Sequence, residues 1–181
     1  MSKILIITEK PSVGRDIGRV LKASQKSDGY IFNDKYVISW AIGHLLTLCE
    51  PEDYNPALKT WRMDTLPILP EKICTKPIKK TDKQLKILTK LLQDKTISEV
   101  ICATDSGREG ELIFRYIYSH ARCAKPVRRL WISSMTDEAI LAGFNNLRPS
   151  SDFDNLYHSA LCRSHSDWLV GINASRAYSI K

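Results

Sequence analysis

Paired cysteines are missing from this 181-residue chain. Its five cysteines, Cys49, Cys74, Cys102, Cys123 and Cys162, are odd in number, and no two form a C-x-x-C pair. That spacing excludes the common zinc-ligand patterns and suits reduced thiols in a cytosol. Long apolar runs are missing too. Lys3 is followed by only four apolar residues, Ile4 to Ile7, too few for the core of a signal peptide. No stretch approaches the length of a membrane span, so the expectation is a cytoplasmic chain with no membrane partner. There is no internal repeat and no low-complexity segment. Acidic residues are in deficit, with 20 Asp+Glu against 27 Lys+Arg and a formal charge of +7, a balance that favours a polyanionic partner. What is present is enough apolar residue, 43%, to bury a core in one good-sized domain, or one domain and a piece of another.

Along the chain, apolar runs alternate with helical patterns. Ile4-Leu5-Ile6-Ile7 is apolar at every position, as a strand buried on both faces of a parallel sheet is. Pro11 and Ser12 suit a helix entry, and Val13, Ile17, Val20 and Leu21 follow at helical spacing. Residues 36–42 read as a second strand ending at Gly43-His44. Residues 50–80, with Pro51, Pro56, Pro67, Pro70 and Pro77, read as an irregular excursion. Lys83 to Gln93 is an amphipathic helix. Residues 99–104 and about 108–121 form another strand–helix unit, with Cys102 as a small core residue. Val127 to Ile132 reads as a further strand, and Thr136 as the start of a helix running to Leu147. After Pro149, residues 153–180 are compatible with one long helix that stops at Lys181 without a capping glycine or proline, as though cut from a larger protein. This alternation predicts an α/β fold with a mostly parallel sheet flanked by helices, spanning 1–149, and the start of a helical domain at 150–181.

The most informative run is Asp105-Ser106-Gly107-Arg108-Glu109-Gly110-Glu111. It occupies a strand-to-helix turn, where ligands bind in open α/β sheets. Its three carboxylates repel one another unless a cation holds them, and a hard, oxygen-loving cation such as Mg²⁺ fits. The alternative is an acidic, solvated helix start. Glu9 ends the first strand as Asp105 ends a later one. If those strands are neighbours, about 4.8 Å apart, the two carboxylates can share one cation. Lys10 and Arg108 flank them, as phosphoryl-transfer chemistry requires.

Thr8-Glu9-Lys10-Pro11-Ser12 together with Ala103 to Glu111 resembles the two acidic motifs of the Toprim domain, a Rossmann-like α/β fold. Trp40-Ala41-Ile42-Gly43-His44-Leu45, the stretch Trp61 to Pro70, Asp167 to Asn173 and Arg176-Ala177-Tyr178 are similar to type IA DNA topoisomerases, and among them the bacterial topoisomerase III group. The resemblance covers essentially the whole chain. It implies an enzyme that cleaves, passes and reseals single DNA strands through a 5′-phosphotyrosyl link, with Mg²⁺ and without ATP, on single-stranded segments of DNA in the nucleoid. It implies metal binding and proton transfer at the 3′ oxygen for Glu9, metal binding for Asp105, scissile-phosphate contact for Lys10, and DNA approach for Trp61, Trp168 and Arg176; Arg108, flanking the carboxylates, is the further catalytic candidate. The family's acidic motif usually carries a second aspartate where this chain has Gly107, which leaves either Glu109 to compensate or the ion to be held more by waters and substrate phosphates. The family's tyrosine nucleophile matches none of the seven tyrosines here, so these residues are expected not to cleave DNA without the remaining domains.

Other readings compete. A Toprim nuclease or primase is disfavoured by the matches at 167–178. A receiver-like regulatory domain is disfavoured by the paired motifs and the basic charge, and a DNA-binding module without chemistry is a further alternative. The lysines at 72, 76, 79, 80, 83, 86 and 90 read as a solvated face before a DNA track, and His44 as an ordinary loop histidine.

Overall fold

The computed structural model describes residues 2–180. In chain order the elements are β1 (Lys3–Thr8), α1 (Pro11–Val20), β2 (Gln25–Ser27), β3 (Tyr30–Phe32), β4 (Tyr36–Trp40), β5 (Leu46–Leu48) and α2 (Pro51–Tyr54). They continue with β6 (Thr75–Pro77), α3 (Asp82–Gln93), β7 (Ile97–Ala103), α4 (Arg108–His120), β8 (Val127–Arg129), α5 (Asp137–Asn145), β9 (Arg148–Pro149) and α6 (Asp154–Ile180).

Seven strands form one sheet in the order β2-β3-β4-β1-β7-β8-β9. Its centre, β4-β1-β7-β8, is parallel, and both edges are antiparallel. The pleat explains why the central strands are apolar throughout. Leu5 and Ile7 enter a core with Val100, Cys102, Leu88 and Phe114, beneath α3 and α4. Ile6 points the other way, to Ile17, Ile38, Ile101 and Ile140, beneath α1 and α5. Cys102 is a core residue, as its apolar neighbours predict.

The departures from the sequence reading are short and polar. The hairpin β2–β3 has an all-exposed first strand and a turn at Asp28-Gly29, where Gly29 has φ +78°. The Asp-Gly pair is a hairpin signal that the surrounding polarity obscures. The excursion 50–80 is not wholly irregular, because β6 pairs with β5 in a separate two-stranded sheet. The strand predicted at 127–132 ends at Arg129. Residues 148–149, at the expected end of the first domain, add an edge strand to the main sheet.

Helix α6 packs on α4 and reaches back to the excursion. The Asn173 side chain accepts from Ile68 N–H at 2.6 Å and donates to Ile68 O at 3.0 Å. Arg176 donates to Leu58 O at 2.5 Å. Two polar residues of one helix therefore clasp a proline-rich segment whose backbone has few ladder partners of its own. Within the lysine-rich stretch, Lys83 pairs with Asp28 and Lys86 with Asp82, both at the surface, as a solvated face does.

Candidate functional site

Strands β1 and β7 are parallel neighbours with Thr8 opposite Ala103, so the residues just beyond their carboxyl ends emerge side by side. The Thr8 hydroxyl donates to Lys10 O at 3.0 Å and shapes the turn into α1. Asp105 N–H donates to Glu9 Oε2 at 3.4 Å. Lys10 Nζ lies 2.8 Å from Asp105 Oδ2 and 3.9 Å from Glu9 Oε1, so two carboxylates from distant segments share one cationic group. Glu9 is the enclosed member, 13% exposed, against 49% for Asp105. Burial, then the negative charge of Asp105, pushes the Glu9 carboxyl above its ordinary range, with Lys10, the Asp105 N–H and His44 opposing. The hydrogen bond and charge of Asp105, and the charge of Glu9, raise the Lys10 ammonium in turn.

The rest of the acidic run splits. Glu109 pairs with the imidazole of His44, which the sequence reading treated as an ordinary loop residue. Among the described residues no three His, Cys, Asp or Glu side chains converge as a metal group, so the expected set of Glu9, Asp105 and Glu109 is not assembled. The cause is the helix itself. Glu109 sits in the first turn of α4, beyond Gly107, and lines a cleft with His44, Leu46, Leu48 and Glu50. Arg108 is exposed at the start of α4. With His44, Glu109, Arg163, Asp167 and Trp168 it lines a cleft of about 810 Å³ between the α4 N-terminus and α6.

Glu111 points inward and is 1% exposed. It accepts from Arg115 Nε at 2.9 Å and faces Arg129 Nε at 3.2 Å, the latter without a well-aligned hydrogen bond. Gly110 is obligatory here, since a Cβ would stand 2.3 Å from Asp105 O. The sequence reading missed Arg129. The available signal was a second arginine in a three-residue strand, where alternation must turn one of Arg128 and Arg129 inward.

Trp61, Trp168 and Arg176 do come together, lining a smaller groove of about 470 Å³ beside Glu50 and Asp167. Trp61 is exposed. Trp168 is half-buried, edge-on to Tyr54. Arg176 is only 4% exposed, with its guanidinium 5.3 Å from the Trp61 ring centroid and one nitrogen on Leu58 O. The expected phosphate contact at Arg176 is therefore not open in this arrangement, because the side chain is spent on the clasp.

The donor chemistry fits a hard divalent cation. Glu9 and Asp105 present oxygen donors to one point, and a positive charge, the Lys10 ammonium, already sits between them. Mg²⁺ is commonly held by one or two carboxylates, with waters and substrate phosphates completing its shell.

Comparison with known proteins places these observations in context. The family model described as "Toprim domain" matches residues 4–135. The chain is 51% identical over its whole length to a protein named DNA topoisomerase 3 from Bacillus licheniformis, and 50% identical to the one from Bacillus subtilis. It spans about a quarter of the length of these curated relatives. Among solved structures, full-length topoisomerase I from Thermotoga maritima superposes with a TM-score of 0.62 over 92% of this chain and 24% of that one. At 19% identity that likeness speaks for the fold.

Proposed function

The chain belongs to the Toprim domain family, and from that premise we propose that it is the N-terminal, Mg²⁺-binding part of a type IA DNA topoisomerase of the topoisomerase 3 kind. The observation that carries this reading is the meeting of Glu9 and Asp105 around one cation at the ends of neighbouring parallel strands. Identity of 51% and 50% to the two Bacillus relatives, over the whole of this chain and a quarter of theirs, supports it. In this reading residues 1–149 are the Toprim domain and 150–181 begin the next domain of the same chain.

Glu9 and Asp105 would hold the metal, which when bound would supply positive charge to the phosphate. Glu9, whose carboxyl is raised by burial and by Asp105, is suited to carry a proton at the 3′ oxygen of a cut strand. Lys10, exposed and paired with Asp105, would offer its ammonium to the scissile phosphate. Arg108 offers a second fixed cation toward the phosphate. Glu109, paired with His44, would be the further carboxylate available to the metal. Trp61 and Trp168 offer faces for unpaired bases. The substrate is single-stranded DNA within duplex; no ATP takes part, and the setting is the bacterial nucleoid. The tyrosine nucleophile comes from the remaining domains, so these residues alone do not cut DNA.

Calorimetric titration of Mg²⁺ tests the reading. Glu9→Ala and Asp105→Ala should each abolish measurable binding while the fold persists. Binding that survives both changes removes the metal assignment. Affinity for single-stranded DNA should fall steeply with salt, because phosphate contacts release counterions.

A further inference from the structure

Arg129 is almost wholly buried, and its hydrogen bonds go to an unusual place. One terminal nitrogen donates to Thr104 O and Leu130 O, each at 2.8 Å, and to Cys102 O at 3.1 Å. The other donates to Asp105 O at 2.8 Å. Thr104 and Asp105 lie beyond Ala103, the last residue of β7, where the ladder ends. The guanidinium thus replaces the strand partner that these carbonyls lack. A buried cation is tolerated only when its charge and donors are met, and Glu111 from the first turn of α4 meets the charge. Arg115 holds Glu111 in place, anchored in turn on Asp154 at 2.7 Å and Ser150 O at 2.9 Å. Trp131 and Phe153 flank the guanidinium, with ring centroids at 5.1 and 5.8 Å.

We infer that Arg129 is a positioning residue for the acidic site: it fixes the backbone of Asp105 so that the carboxylate faces Glu9 and their shared cation. The consequence for metal binding rests on the Mg²⁺ reading above; the backbone restraint does not. Lysine cannot substitute, since a single ammonium lacks the planar fork that reaches several carbonyls at once.

The test compares Arg129→Lys, Arg129→Met and a control, Leu92→Ala, which weakens the core under α3 without touching this turn. Two quantities are read in the 181-residue chain: Mg²⁺ affinity, and amide exchange at Gly107, whose N–H donates to Asp105 O at 2.9 Å. Arg129→Lys should weaken Mg²⁺ binding about tenfold, the lower end of what loss of a ligand-orienting contact costs. It should also speed Gly107 exchange beyond what its global stability loss accounts for. The control should change neither after the same correction. If the methionine variant does not fold, the lysine variant decides. Affinity and Gly107 exchange that follow global stability in Arg129→Lys as in the control would overturn the inference. If the unsubstituted chain binds no Mg²⁺, the metal reading fails, and Gly107 exchange alone settles whether Arg129 positions the turn.

Discussion

Asp105 and Glu111 open and close the same acidic run and meet opposite fates. Asp105 stays half-exposed, paired with a lysine that is itself 56% exposed. Glu111 is buried between two arginines. The first pairing is weak by construction, because water and salt screen it. A metal or a phosphate can displace it at little cost. The second cannot be exchanged, since removing one partner strands a charge in a dry interior. Membership of a motif does not assign a role here; burial does.

The largest effect separates the two faces. Glu111→Ala should destabilise the chain by about 3–5 kcal/mol, because Arg115 and Arg129 lose their buried counter-charge. Asp105→Ala should cost far less, as loss of a screened surface pair does. Urea unfolding of both variants measures the contrast. Similar losses for the two would erase the distinction.

This contrast also marks what was legible in the sequence. The βα units, the two-sided burial of β1 and β7, and the long C-terminal helix all follow from apolar periodicity, which burial enforces over many residues. The adjacency of Glu9 and Asp105 was expressed as a condition on strand order, and the parallel register of β1 and β7 meets it. Side-chain direction at the turn was not legible. Glu109 and Glu111 are two residues apart on one helix, so they point to different sides, one to His44 and one to Arg129. Only the packing of α4 on β7 and β8 says which side is which. The anchoring of Arg176 was not legible for a related reason: its partners, Leu58 O and Trp61, lie in an excursion whose path no periodicity announces.

A second, smaller effect tests the outer face through pH. The folded-state pKa of Glu9 is raised, by burial first and by Asp105 second. The native state therefore holds a proton more tightly than the unfolded chain does. The stability that Glu9 contributes is present below its ordinary value of 4.5 and is lost as pH rises through the raised value. Glu9→Gln carries no such proton, so its stability relative to the parent chain should improve as pH climbs through that window and then level off. Chemical denaturation at stepped pH reads this directly. Parallel curves for the two chains would mean that the Glu9 environment does not penalise its charge.

The smallest effect on stability comes from Gly107, and it sharpens the comparison most. Gly107 has φ −172° at the N-cap of α4, an extended conformation open to any residue, and a Cβ built there meets nothing within 4 Å. Gly107→Asp is therefore free of steric cost. An aspartate at an N-cap is better than glycine by only a few tenths of a kcal/mol, and repulsion from Asp105 opposes that gain. The net change should lie within about 0.5 kcal/mol. Mg²⁺ affinity should nonetheless tighten, since a third carboxylate enters beside Glu9 and Asp105, next to a helix N-terminus that favours negative charge. Tighter binding at unchanged stability would show that the outer face is a ligand set whose members can be added without disturbing the fold. Weaker binding would mean that the Lys10-bridged pair is already the whole of the site.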